Sequence, residues 1–220
     1  MDERLKEIRT RLRLSMNGVV STSMREKGIV YKLNFGVSLS KIKEIAADFE
    51  RDATFAKRLW NEDVRELKII ATLLYPHSEF SKEEAELWIK DVRYIEIAEQ
   101  INTNLLQNLS YANELAASWI TNEEEFTQVT GFLLYSRLFL NGYKENEQQA
   151  TILLEVAKRI LDKGVSRCQR AAILALKRFG RQNKANADAV LNFIADYKQS
   201  TSAEKQEFYD DLCFEFEYYN

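Results

Sequence analysis

Little in this chain could do covalent chemistry. Its 220 residues hold one histidine, His77, and two cysteines, Cys168 and Cys213. A nucleophile–histidine–acid arrangement would have to be built on His77, which follows Pro76 and is expected to be an exposed loop imidazole. The cysteines stand far apart and in no CxxC pattern, so neither zinc nor a redox dithiol finds a ligand set. Free, mostly buried thiols in a reducing cytoplasm are expected. The sequence contains no GxGxxG stretch and no P-loop, and so gives no support for a nucleotide cofactor. No cofactor and no metal are expected.

Charge is the feature that stands out. From Lys158 to Lys184 there are nine basic residues (Lys158, Arg159, Lys163, Arg167, Arg170, Lys177, Arg178, Arg181 and Lys184) against Asp162 alone, in a chain of net charge −3. Cations concentrated on consecutive elements form a patch that phosphates occupy while counterions are released. A solvated face that is merely basic is the competing reading. The imbalance within an acidic chain favours an anionic partner, nucleic acid foremost. From Thr201 onward the balance reverses, with six acids and one lysine.

The elements that must position these groups are helices. One proline and seven glycines in so long a chain favour an all-α protein with short connections. At 45% hydrophobic and 30% charged the composition is that of a globular protein, and without a Ser/Gly/Pro-rich linker we expect one domain over residues 1–220. The N-terminus, MDERLKEIRTRLRLSMNG, is charged throughout, unlike a signal peptide. The longest apolar run, residues 171–176, is far too short to span a bilayer, so no membrane association is expected.

Apolar spacing predicts a helix over residues 2–16, with Leu5, Ile8 and Leu12 on one face. A looser connection follows over 16–32, then a turn at 33–37 with Ser38 as N-cap. Thr54 to Pro76 reads as two short helices. Phe55, Ala56, Leu59 and Trp60 form one stripe; Val64, Leu67, Ile70, Ala71 and Leu74 form the other. Asn61-Glu62-Asp63 suits the turn and an N-cap, and Pro76 ends the second helix. Ser81 to Glu84 is a capping box opening a helix with Leu87 and Trp88. Further helices are predicted from about Arg93 to Leu105, from Asn122 to Leu140, over 148–161, 166–179 and 186–197, and from Thr201 to the end. The hairpin pattern recurs: Leu73-Leu74-Tyr75 returns as Leu133-Leu134-Tyr135, and Ala56-Lys57-Arg58-Leu59 as Ala157-Lys158-Arg159-Ile160. We read these as diverged copies of one helical hairpin, the alternative being the likeness of any two amphipathic helices; such a hairpin buries both stripes only by stacking on neighbours.

The order Asn34-Phe35-Gly36-Val37, Phe55-Ala56-Lys57-Arg58-Leu59-Trp60, then Val64-Arg65-Glu66-Leu67 and Ala71 resembles the N-terminal half of the AlkD-like DNA alkylation repair proteins. Gln169-Arg170-Ala171-Ala172-Ile173-Leu174 is similar to a helix start in that family's repeats. The resemblance covers roughly residues 30–200. It implies a right-handed solenoid of HEAT-like antiparallel helix pairs whose basic concave face holds duplex DNA. The family's enzymes excise alkylated purines by breaking the N-glycosidic bond, in an aromatic-lined cleft with a catalytic Asp and a DNA-contacting Arg.

Those catalytic groups do not carry over. The family's Trp and the Asp four residues later fall on Tyr94 and Ala98, its Arg falls near Val129, and its second Trp near Leu174. Excision needs a negative group beside the oxocarbenium-like sugar, and Ala98 supplies none. Glu96 and Glu99 are the nearest carboxylates, but a helix turns each residue about 100° from the next, away from Ala98. A register shift of one would put Glu99 in place. Trp88 and Tyr94 are the candidate cleft aromatics, with plain core packing as the alternative. Three functions remain open. The chain could bind DNA through the 158–184 region without efficient catalysis. It could be a divergent glycosylase acting on alkylated purines through Glu96 or Glu99. Or it could be a scaffold for a protein partner, engaged through the acidic tail.

Overall fold

The computed structural model describes residues 3–164 and 166–219. Within them the chain is helical, and its packing divides it into two compact units: residues 1–86 with 103–109, and residues 87–102 with 110–220.

In the first unit, α1 (Glu3–Leu14) buries Leu5, Ile8 and Leu12, the face expected from spacing; residue 2 lies outside the described residues. Its polar side ties the unit together through ion pairs Arg4–Asp52, Arg9–Glu62 and Arg11–Asp48. The loose connection expected over 16–32 is instead interrupted by α2 (Gly18–Glu26). This helix was invisible to apolar spacing because it has almost no buried face: Ser21 is its buried residue, while Val19 is 81% exposed. Asn17 caps it by accepting the Val20 N–H. Ser38 caps α3 (Leu39–Ala47) as expected, accepting from Lys41 N.

The hairpin α4 (Ala53–Trp60) and α5 (Arg65–Leu74) buries both expected stripes. Its turn differs from expectation. The N-cap position of α5 is Val64, without a side-chain cap bond. Asp63 is used elsewhere: its Oδ2 accepts the Lys32 N–H at 2.9 Å, and Leu33 forms an isolated parallel bridge with Val64. This bridge brings together two of the motifs that carry the family resemblance. Glu66, fully buried, accepts the N–H groups of Phe35 and Val37, each at 3.2 Å. Arg65 donates to the Val37 carbonyl at 2.9 Å and pairs with Glu66 at 2.9 Å. Between them Gly36 has φ +68°, and a Cβ there would stand 2.3 Å from the Asn17 carbonyl oxygen. Only glycine fits both demands.

The end of α5 also departs from expectation. His77 is no free loop imidazole. It sits half-buried in a 3-10 turn (His77–Glu79), with Nε2 3.1 Å from the Asn104 carbonyl oxygen and 3.2 Å from the Arg51 guanidinium.

The capping serine, Ser81, accepts the Glu84 N–H and opens α6 (Lys82–Trp88). α7 follows over Ile95–Asn104. In the second unit, α8 (Ala112–Ile120) and α9 (Glu125–Leu140) form one hairpin, and α10 (Glu147–Lys163) and α11 (Ser166–Gly180) the next. α9 lies alongside α11, and α8 reaches α10, so corresponding helices of successive hairpins share a layer. Tyr135, Phe139 and Phe179 form a continuous aromatic seam between α9 and α11, with ring centroids 5.3 Å apart at each step. The helix expected over 186–197 is shorter: α12 spans Lys184–Phe193 and gives way to a 3-10 turn at Ala195–Gln199. α13 (Ala203–Tyr219) packs back against α11. Among the described residues no helix is long and apolar enough to cross a membrane.

Candidate nucleic-acid interface

The buried face of α11 is set by Cys168, Ala171, Ala172, Ala175, Leu176 and Phe179. At about 100° per residue this leaves Arg167, Arg170, Leu174, Lys177, Arg178 and Arg181 within a sector roughly 100° wide on the other side. Arg167 and Arg170 are exposed, Leu174 is 38% exposed in the middle, and the remaining cations are half-buried. The sequence thus builds one basic stripe running the length of α11, about 20 Å.

The stripe is not uniformly free. Arg167 pairs with Glu125 at 3.2 Å and lies over the Phe126 ring at 5.6 Å, both at the start of α9. At the other end, Lys177 pairs with Asp211 at 2.7 Å and approaches Glu215 at 3.6 Å; Arg181 pairs with Glu215 as well. Among the described residues Arg170 and Arg178 have no carboxylate partner. They carry the unneutralised charge of the stripe.

The cations of α10 occupy different surroundings. Lys158 donates to the Phe193 carbonyl and pairs with Asp196 at 2.7 Å, which ties α10 to the end of α12. Lys184 pairs with Asp188 one turn along α12. Arg159 and Lys163 line an open groove of about 610 Å³ together with Glu123, Glu125, Gln128 and Cys168. Two acids and two bases line this groove, so their charges balance. Cys168 is inert there: burial, then Glu125 and Glu124, push its thiol up to about 11. It is 2% exposed, and a neutral buried thiol is no nucleophile.

Of the positions that the resemblance aligns with the family's catalytic groups, Tyr94 and Ala98 lie just before and on α7, Val129 on α9 and Leu174 on α11. Trp88 is 3% exposed, packed in the core, whereas Tyr94 is half-exposed. Ala98 is fully buried. Glu96 is half-exposed and Glu99 exposed, so neither shares Ala98's face. Partial desolvation, then the neighbouring Glu96, raises the Glu99 carboxyl above its ordinary value. Among the described residues no cluster of His, Cys, Asp and Glu could hold a metal ion.

The sequence did not reveal that the acids of α13 are the partners of the stripe. The signal was present: Asp211 and Glu215 are spaced i, i+4, as are Lys177 and Arg181, and two packed helices can zip such pairs. Leu174, the position that the resemblance puts near the family's second Trp, is the exposed apolar residue among the arginines.

No curated protein matches the chain in sequence. Its fold is that of a solved structure described as a new family of proteins related to the HEAT-like repeat DNA glycosylases with affinity for branched DNA structures. The two superpose with a TM-score of 0.76 over 95% of this chain and 94% of the other, at 16% identity. The helical hairpins are therefore HEAT-like repeats. The sequence profile of the DNA alkylation repair enzyme family spans residues 8–206, nearly the whole chain, and the protein belongs to that family.

Proposed function

We propose that this protein binds DNA through the α11 stripe and does not cleave the N-glycosidic bond. The observation that carries this reading is the shared face of Arg167, Arg170, Lys177, Arg178 and Arg181, with Arg170 and Arg178 unneutralised. Such a stripe meets a phosphate backbone without reading base sequence. It therefore suits recognition by backbone geometry, and the affinity of the structural neighbour for branched DNA supports a branched ligand over a plain duplex. The α7 region supports the non-catalytic half of the reading. The position matching the catalytic acid is a buried alanine, and Glu99 sits where its ionised form is disfavoured relative to free glutamate. That is the reverse of what stabilising a developing cation requires.

The test is direct. Anisotropy titrations with a labelled duplex and a labelled four-way junction should show salt-sensitive binding, tighter for the junction. Binding to neither at low salt refutes the DNA reading. Incubation of a large excess of protein with methylated DNA should release no free purine. Release that is lost on Glu99→Gln would instead establish the divergent glycosylase.

A further inference from the structure

The C-terminal half of the basic stripe is already occupied by the protein itself. α13 lays Asp211 against Lys177 and Glu215 against both Lys177 and Arg181. One turn of carboxylates thus matches one turn of cations, and the match is anchored. Phe216, 4% exposed, seats its ring on Gly180 so closely that a Cβ there would stand 2.3 Å from two ring carbons. Near its start the same helix is held by Lys205, whose ammonium bonds to Asp162, and Asp162 also accepts from the Tyr197 hydroxyl at 2.9 Å. The start of α13 is thus fixed by one set of contacts, and its last two turns by a different set on the stripe.

We propose that the last turns of α13 are an intramolecular competitor for the nucleic-acid site, covering Lys177 and Arg181 until a phosphate backbone displaces them. This rests on the DNA-binding reading above. Part-exposed ion pairs of this kind are individually weak, whereas a polyanion gains counterion release at each cation it takes over. The free and the covered cations of the stripe then differ in role. Arg170 and Arg178 make the first encounter, and Lys177 and Arg181 engage only once the carboxylates have left.

The test compares wild type with Asp211→Asn/Glu215→Gln, and with Glu204→Gln/Glu207→Gln, which changes net charge equally on the same helix away from the stripe. A labelled duplex is titrated across a salt series. Wild type and variant end in the same phosphate contacts, so the salt slope should be little changed. Losing the competing carboxylates should tighten binding by roughly 2- to 30-fold, the strength of two weak ion pairs. The control pair should move affinity far less. Equal effects from both pairs, or no effect from either, overturn the proposal while wild-type binding leaves the DNA reading intact. Failure of every form to bind removes both. Hydrogen exchange on unmodified protein gives a readout independent of substitution. Saturating duplex should speed exchange in residues 211–219, and unchanged protection there overturns the proposal.

Discussion

Replacing Arg170 and Arg178 with alanine isolates the charge that the stripe presents to a ligand. They stand on one face of α11, eight residues apart, and so about 12 Å along the axis. That distance spans nearly two phosphate steps of one strand, each about 7 Å, so the two side chains can reach different phosphates. Neither supports another element through an ion pair, so truncation should leave the fold intact. If each neutralises one phosphate, the double variant lowers the slope of log K against log salt by about 1.8. The affinity loss then depends on salt: about 60-fold at 0.1 M and about 5-fold at 0.4 M. The matched control is Lys158→Ala/Lys184→Ala, which removes the same charge from side chains already paired with Asp196 and Asp188. The assay is fluorescence anisotropy with a labelled junction at several salt concentrations. Long-range potential alone would make the two variants lose affinity alike with similar slopes, and that result would refute the assignment of the interface to α11.

The remaining predictions concern the scaffold and the candidate acids. Glu66→Ala leaves the Arg65 guanidinium and the Phe35 and Val37 amides without their buried acceptor. It should cost about 3–5 kcal/mol, lowering Tm by roughly 6–15 °C in calorimetry for a chain of this size. Asp52 caps α4 through the Phe55 N–H, and this bond, then Arg4, hold its carboxyl below the ordinary 3.8. A depressed acid contributes stability that is present above its unfolded pKa and lost as pH falls through the folded one. Asp52→Asn, which keeps the cap acceptor, should therefore be less stable than wild type by under about 1 kcal/mol at neutral pH. In chemical denaturation the two should converge below about pH 3. Glu99→Gln should leave junction affinity within about two-fold, since one acid outside the stripe alters only the screened background field; a larger change would place the ligand against α7.

Three departures of the fold from the sequence reading share one cause. Helices that bury a stripe were legible, because burial imposes the 3.6-residue period that the eye can find. α2 is held mainly by its ends, through the Asn17 cap and the Ser21 hydroxyl bonded to the Asn34 carbonyl, so its sequence carries no such period. Asp63 had the composition of an N-cap but spends its carboxylate on the Lys32 amide, a contact across thirty-one residues that no local pattern encodes. His77 looked like loop material because it follows Pro76, yet Asn104 and Arg51 close around it. In each case the deciding partner is distant in sequence.

The same reasoning explains why the family was recognisable while the site was not. Two of the segments that carry the resemblance, Asn34 to Val37 and Val64 to Leu67, meet in space and lock one connection to one helix through a buried Arg–Glu pair. Gly36 permits the close approach. Every one of these roles is architectural: removing the pair would destabilise the first unit. Their presence therefore reports the fold and is silent about the chemistry. Chemistry would depend on positions such as Ala98, where the resemblance puts the family's acid and this chain buries an alanine. A scaffold held by one set of residues and a site built from another can diverge independently. In this chain the first set stands intact, and α11 carries a charged surface whose carboxylate partners lie on α13.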